Sequence, residues 1–136
     1  MKYSYEEIKN LVEKYMQDED ESPVLIAIDG NCAAGKTTLA ARLQSDLGGN
    51  VFHMDDYYLQ SFQRTKERLS ETGGNVDYER FKKEVIEPLK KGEAVGVYAC
   101  IHPDLVLEYR KTLEFKRLNI IEGSYSCHPY FDSPYK

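Results

Sequence analysis

The sequence predicts an α/β domain of three layers, with a mainly parallel sheet between helices. Three observations carry that prediction. Short apolar runs rich in β-branched residues recur along the chain and alternate with helical spacing. The first run, Val24-Leu25-Ile26-Ala27-Ile28, is apolar throughout, as a strand buried on both faces is. It feeds a glycine-bearing loop that leads directly into a helical pattern.

The chain has 136 residues, 41% hydrophobic and 30% charged, which bounds it to one globular domain. Residues 1–22 read as an amphipathic helix with an acidic connector, and residues 23–136 as the α/β domain. A net charge of −5 argues against a nucleic-acid partner, because a phosphate backbone needs a basic surface. No segment has the apolar length of a membrane span. The first residues, Met1 to Glu7, lack the apolar core of a signal peptide. Cys32, Cys100 and Cys127 have no paired spacing, which suits a reducing cytoplasm.

Ser4 to Gln17 is expected to be a helix, with Ile8, Leu11, Val12, Tyr15 and Met16 as its apolar stripe. Ser4 and Glu7 suit a capping box at its start. Asp18 to Glu21 is an acidic connector, and Pro23 opens the first strand. Lys36 onward is the next helix, Leu39 and Leu43 sharing one face. Val51 to Met54 is a second strand after the Gly48-Gly49-Asn50 break. Residues 59–76 are polar and read mostly as loop. Asp77 to Lys91 reads as a helix whose stripe is Phe81, Val85, Ile86 and Leu89. Pro88 is placed to bend its last turns, and Gly92 to end it. Val95 to Tyr98 and Leu105 to Tyr109 suit a hairpin, and Leu118 to Ile121 a further core strand ending in Glu122-Gly123.

The chemistry concentrates where the first strand ends. Gly30-Asn31-Cys32-Ala33-Ala34-Gly35-Lys36-Thr37 fits the phosphate-cradling pattern G-x-x-x-x-G-K-[S/T] (Walker A) at every fixed position. Backbone N–H groups of such a loop converge on phosphate at a helix N-terminus, where the dipole favours negative charge. Residues 30–38, Thr38 included, are thus the expected ATP-binding segment. Lys36 would reach the outer phosphates and the Thr37 hydroxyl would take a Mg²⁺ position. The fold is then expected to be of the P-loop NTPase type.

Ligands in such sheets bind beyond the carboxyl ends of the strands. Asp55-Asp56 and Glu122 stand at such ends. Asp55 suits the carboxylate that accepts the proton of a substrate hydroxyl in line with the γ-phosphate. Glu122 ends an apolar strand, where an acidic residue suits a metal held through water. Asp77 is equally explained as a helix N-cap or as a contact to substrate hydroxyls. Tyr57, Tyr58 and Tyr98 are placed to line a pocket.

Together these residues resemble the uridine kinase and phosphoribulokinase-like branch of P-loop kinases. The resemblance rests on Asp29 to Thr38, Met54-Asp55-Asp56-Tyr57-Tyr58, Gly73 to Phe81, Glu87-Pro88-Leu89 and Asn119 to Tyr125, in order, over most of residues 22–130. It implies an ATP- and Mg²⁺-dependent kinase acting on a hydroxyl of a nucleoside or similar small molecule. It implies that Asp55 is base or hydroxyl ligand, that Asp77 contacts sugar hydroxyls, and that Glu122 supports the metal and its waters. Related hairpins often carry Tyr-Asp where this chain has Tyr98-Ala99. Members of the family continue through an arginine-bearing lid, more strands and an adenine-binding loop, whereas this chain ends soon after Glu122. The expectation is therefore either a fragment of a longer kinase, its C-terminal strands missing, or a homo-oligomer that covers an open apolar edge at Val24 to Ile28. Nicotinamide riboside, pantothenate and sugar acids are alternative acceptors, and a nucleotide-binding module without turnover is an alternative class. A GTPase is disfavoured, since no Asn-Lys-x-Asp motif is present.

Overall fold

Alternation along three short strands builds the centre of the molecule. The computed structural model describes residues 4–17, 22–29, 35–54, 57, 59, 61–74, 76–101, 106–123, 131 and 135. Strands β1 (Val24–Ile28), β2 (Asn50–His53) and β5 (Leu118–Glu122) form a parallel sheet in the order β1-β5-β2. Successive side chains of a strand point to opposite faces. Val24, Ile26, Val51, Leu118 and Ile120 accordingly join one apolar cluster, and Leu25, Phe52 and Ile121 the other.

Helices cover both faces. Helix α2 (Lys36–Leu47) supplies Ala40 and Leu43 to the first cluster, together with Val12 of α1 (Tyr5–Met16). The Ser4 hydroxyl caps α1 by accepting the Glu7 N–H at 3.2 Å. The expected stripe on α1 divides. Ile8, Val12 and Met16 face the cluster, whereas Leu11 and Tyr15 are exposed. Two polar clasps fix α1. The Tyr5 hydroxyl donates to Asp46 at 2.5 Å beneath the Arg42 guanidinium. At the other end, Arg117 donates to the Met16 and Ser22 carbonyls, as a cation at a helix C-terminus should.

Among the described residues, the polar stretch before Asp77 holds a 3₁₀ turn (Ser61–Gln63) and a short α-helix, α3 (Lys66–Leu69). The helix expected from Asp77 to Lys91 forms in three parts: α4 (Tyr78–Phe81), a π turn (Lys82–Ile86) and α5 (Glu87–Lys90). Pro88 lacks an N–H, and its ring would collide with the carbonyl four residues back. The wider turn ends just before it, with the Glu87 N–H donating to the Lys82 carbonyl. This stretch brings Phe81, Val85, Ile86 and Leu89 to the second cluster. Strands β3 (Val95–Ile101) and β4 (Val106–Leu113) form the expected antiparallel hairpin, longer than the sequence suggested. Val95 and Val97 pack into the second cluster, and the register shifts between Val97 and Tyr98.

Among the described residues, β1 is paired along one side, by β5. No helix of the described residues is long and apolar enough to cross a membrane.

Candidate active site at the carboxyl edge of the sheet

Parallel register decides which strand-end residues meet. Ile28 and His53 both pair with Glu122, so the last residues of all three strands lie side by side. Glu122 is 4% exposed. Its Oε1 accepts from the Thr37 hydroxyl at 3.4 Å and lies 2.5 Å from His53 Nδ1. Gly123 turns the chain immediately afterwards. Its φ is +130°, its N–H donates to the Ile28 carbonyl at 3.0 Å, and a Cβ would fall 2.8 Å from Met54 Cβ. The Glu-Gly pair thus puts a carboxylate at the sheet edge and lets β2's exit pass close behind it.

Thr37 reaches this carboxylate because α2 begins just beyond β1. Gly35 caps α2 in the left-handed conformation, φ +76°, with open space where a Cβ would stand. Among the described residues no side chain caps α2, and its first turn holds no acidic group. The helix N-terminus therefore keeps its affinity for an anion. Lys36 is the first helical residue and is 8% exposed.

A second group of residues gathers around Asp77. Its Oδ1 accepts the Arg80 N–H at 3.1 Å, the N-cap arrangement, and it is 2% exposed. Its own N–H donates to the Tyr57 carbonyl at 2.6 Å, tying this turn to the segment leaving β2. The preceding turn is organised by Arg68, which donates to the Gly74 and Val76 carbonyls and forms a forked pair with Glu79 at 2.9 and 2.6 Å. Its guanidinium also lies 3.9 Å from the centre of the Tyr78 ring. Hydrogen bonding to Glu71 pushes the Tyr78 hydroxyl up to about 12. Tyr98 is half-exposed on the hairpin and meets Tyr109 edge-on at 5.6 Å. Burial pushes the Glu84 carboxyl above its usual range, against the pull of Arg80.

Of the residues singled out from sequence, Thr37 and Glu122 come together, next to Gly35, Lys36 and Thr38 at the start of α2. Asp77 and Tyr98 belong to the second group. Gly30, Asn31, Cys32, Ala33, Ala34, Asp55 and Tyr58 lie outside the described residues. Sequence reasoning passed over His53, whose only available signal was its place as the last residue of β2, and Arg80, which reads as an ordinary helical arginine.

No family model matches the chain, and no curated protein matches it in sequence. Solved structures do match. One is a "possible uridine kinase" from Bacillus stearothermophilus, with a TM-score of 0.68 at 23% identity, over 92% of this chain and 76% of that one. Another, from Silicibacter sp. TM1040, is assigned as a fructose transport system kinase, with a TM-score of 0.78 at 19% identity, over 98% of this chain and 72% of that one. The chain has the uridine kinase-like P-loop kinase fold.

Proposed function

We propose that this chain transfers the γ-phosphoryl group of ATP, with Mg²⁺, to a hydroxyl of a nucleoside or similar small molecule such as a sugar. The meeting of Thr37 and Glu122, 3.4 Å apart beside the N-terminus of α2, carries this reading. Both offer hard oxygen ligands, and Mg²⁺ characteristically takes one or two protein ligands beside waters and substrate phosphates. Among the described residues no three His, Cys, Asp or Glu side chains cluster as a metal cage, which suits that mode of binding. Bound there, the metal would neutralise charge developing on the phosphoryl oxygens.

The chain's own groups divide the remaining work. Residues 30–38 hold phosphate through backbone N–H groups, and Lys36 adds a positive charge to the outer phosphates. Thr37 and Glu122 would hold Mg²⁺, Glu122 through water. His53 orients the Glu122 carboxylate. Asp55 accepts the proton of the attacking hydroxyl, and Tyr58, Asp77 and Tyr98 hold the acceptor. Little covalent chemistry is required of the protein, so positioning and charge supply most of the acceleration. The two kinase neighbours support the reaction class, and uridine and fructose, which appear in their names, are the first acceptors to try.

The test is ATP consumption against nucleosides and hexoses, with wild type, Asp55→Asn and Lys36→Ala. Acceptor-dependent turnover that is lost in Asp55→Asn supports the kinase. ATP binding without turnover on any acceptor supports the nucleotide-binding module instead. Undiminished ATP binding by Lys36→Ala overturns the phosphate-loop assignment.

A further inference from the structure

Arg80 occupies a place that a surface arginine of a short helix does not. Its side chain is 6% exposed, and beyond its own helical stretch it reaches two segments distant in the chain, at Tyr57 and Tyr98. Nε stands 3.7 Å from Asp77 Oδ2. Nη1 donates to the Tyr98 carbonyl at 3.1 Å and lies 3.5 Å from Glu84 Oε1. The guanidinium carbon lies 4.4 Å from the centre of the Tyr57 ring.

Each contact lands on the acceptor side of the proposed site. Tyr57 belongs to the segment that leaves β2 and contains Asp55 and Tyr58. Asp77 is the buried carboxylate at the start of α4. Tyr98 sits where the β3 register shifts, and such irregularities re-aim a strand and its side chains. A planar guanidinium presents donors in several fixed directions and stacks on rings, whereas an ammonium is a point charge. One arginine can therefore hold a carboxylate, a carbonyl and a ring in a single relative geometry. Two neighbouring carboxylates, Asp77 and Glu84, offset the cost of burying its charge.

We propose that Arg80 is the positioning residue of the acceptor site, locking the β2 exit, Asp77 and the hairpin strand at Tyr98 together so that acceptor affinity depends on it and nucleotide affinity does not. This rests on the proposed function for the identity of the acceptor site. The locking itself stands on the contacts. They fall on Tyr57, Asp77, Glu84 and Tyr98, away from the start of α2 and from Glu122, so loss of Arg80 leaves ATP binding intact.

The test compares wild type with Arg80→Lys and Arg80→Gln in the full chain, by two measurements. In the first, amide hydrogen exchange of the unliganded protein is followed by mass spectrometry. Arg80→Gln is expected to raise exchange together at residues 57–59, 76–78 and 97–99, leaving α2 and β5 as in wild type. A rise confined to the helix around residue 80 overturns the locking. In the second, steady-state kinetics are measured with ATP and uridine, or with fructose if wild type consumes that instead. The acceptor KM is expected to rise roughly tenfold or more, as small misplacements of a binding group do, while the ATP KM stays within about twofold. Arg80→Lys keeps the charge and is expected to recover only part of the acceptor KM. Equal changes in both KM values, or full recovery by lysine, overturn the positioning role. If wild type consumes none of the nucleosides and hexoses, the proposed function is what fails, and the exchange pattern still decides the locking. Should Arg80→Gln not fold, the same readouts are taken on Arg80→Lys.

Discussion

Replacing Gly123 by alanine tests how the carboxyl edge of the sheet is built. Two costs add at this position. The backbone is held at φ +130°, which an L side chain adopts at about 1–3 kcal/mol. The new Cβ would also stand 2.8 Å from Met54 Cβ, well inside ordinary carbon contact. Met54 is 1% exposed, and the clashing atom is attached directly to its backbone, so it cannot swing aside. Overpacking of that kind costs about 1–3 kcal/mol. The sum, about 2–6 kcal/mol, is a large part of a typical domain's stability. A suitable control is Gly92→Ala, at φ +72° with nothing within 4 Å of the added Cβ. It carries the backbone cost alone, about 1–2 kcal/mol. Urea unfolding and thermal melts followed by circular dichroism read both variants. The Gly123 variant should melt about 6–24 °C below wild type and clearly below the Gly92 variant. Equal losses in the two would refute the close-approach argument. A loss at Gly123 below about 1 kcal/mol would refute the backbone argument as well.

Four further outcomes are expected. Glu122→Gln keeps the side-chain shape but removes the negative charge facing Thr37, so calorimetry should show Mg²⁺-dependent ATP affinity falling roughly tenfold or more, with metal-free ATP binding little changed; His53→Ala should give a smaller loss of the same kind. Arg68→Lys cannot reproduce the fork to Glu79 and the two carbonyl bonds, so it should cost about 2–3 kcal/mol in urea unfolding, and an unchanged midpoint would show that the turn before Asp77 holds without them. The Tyr78 hydroxyl has its folded pKa raised to about 12 from 10.0, so the folded state holds that proton more tightly. Its contribution is present below pH 10 and is lost as pH rises toward 12, so Tyr78→Phe should show a shallower alkaline loss of stability than wild type.

The carboxyl edge of the sheet around β1 and α2 was readable because its signals are local. An apolar run, a glycine loop, Lys36-Thr37 and a helical pattern are contiguous, and each identifies the next. Glu122 was readable for a related reason, since a charge at the end of a buried strand needs a purpose. His53 was not. Its partner is 69 residues away, and only the parallel register of β2 on β5 sets them side by side. The stripe on α1 was read too broadly. Periodicity marked five apolar positions, but only the side facing the sheet buries its residues, and Leu11 and Tyr15 fall outside it. Pro88 announced a disturbance in its helix without stating its form. The π turn follows from satisfying hydrogen bonds around a missing N–H while Val85, Ile86 and Leu89 stay in the core.

Sequence alone determined the α/β class, the G-x-x-x-x-G-K-T pattern between β1 and α2, and the carboxylate that ends β5, because these depend on spacing between near neighbours. Tertiary structure alone decided what that carboxylate meets. It gave Glu122 the Thr37 hydroxyl and the His53 ring, and it enclosed Arg80 between Asp77, Tyr57 and the Tyr98 carbonyl. The physical reason is that burial and hydrogen-bond partnership are properties of surfaces brought together by the sheet, and a side chain's distance along the chain does not encode them.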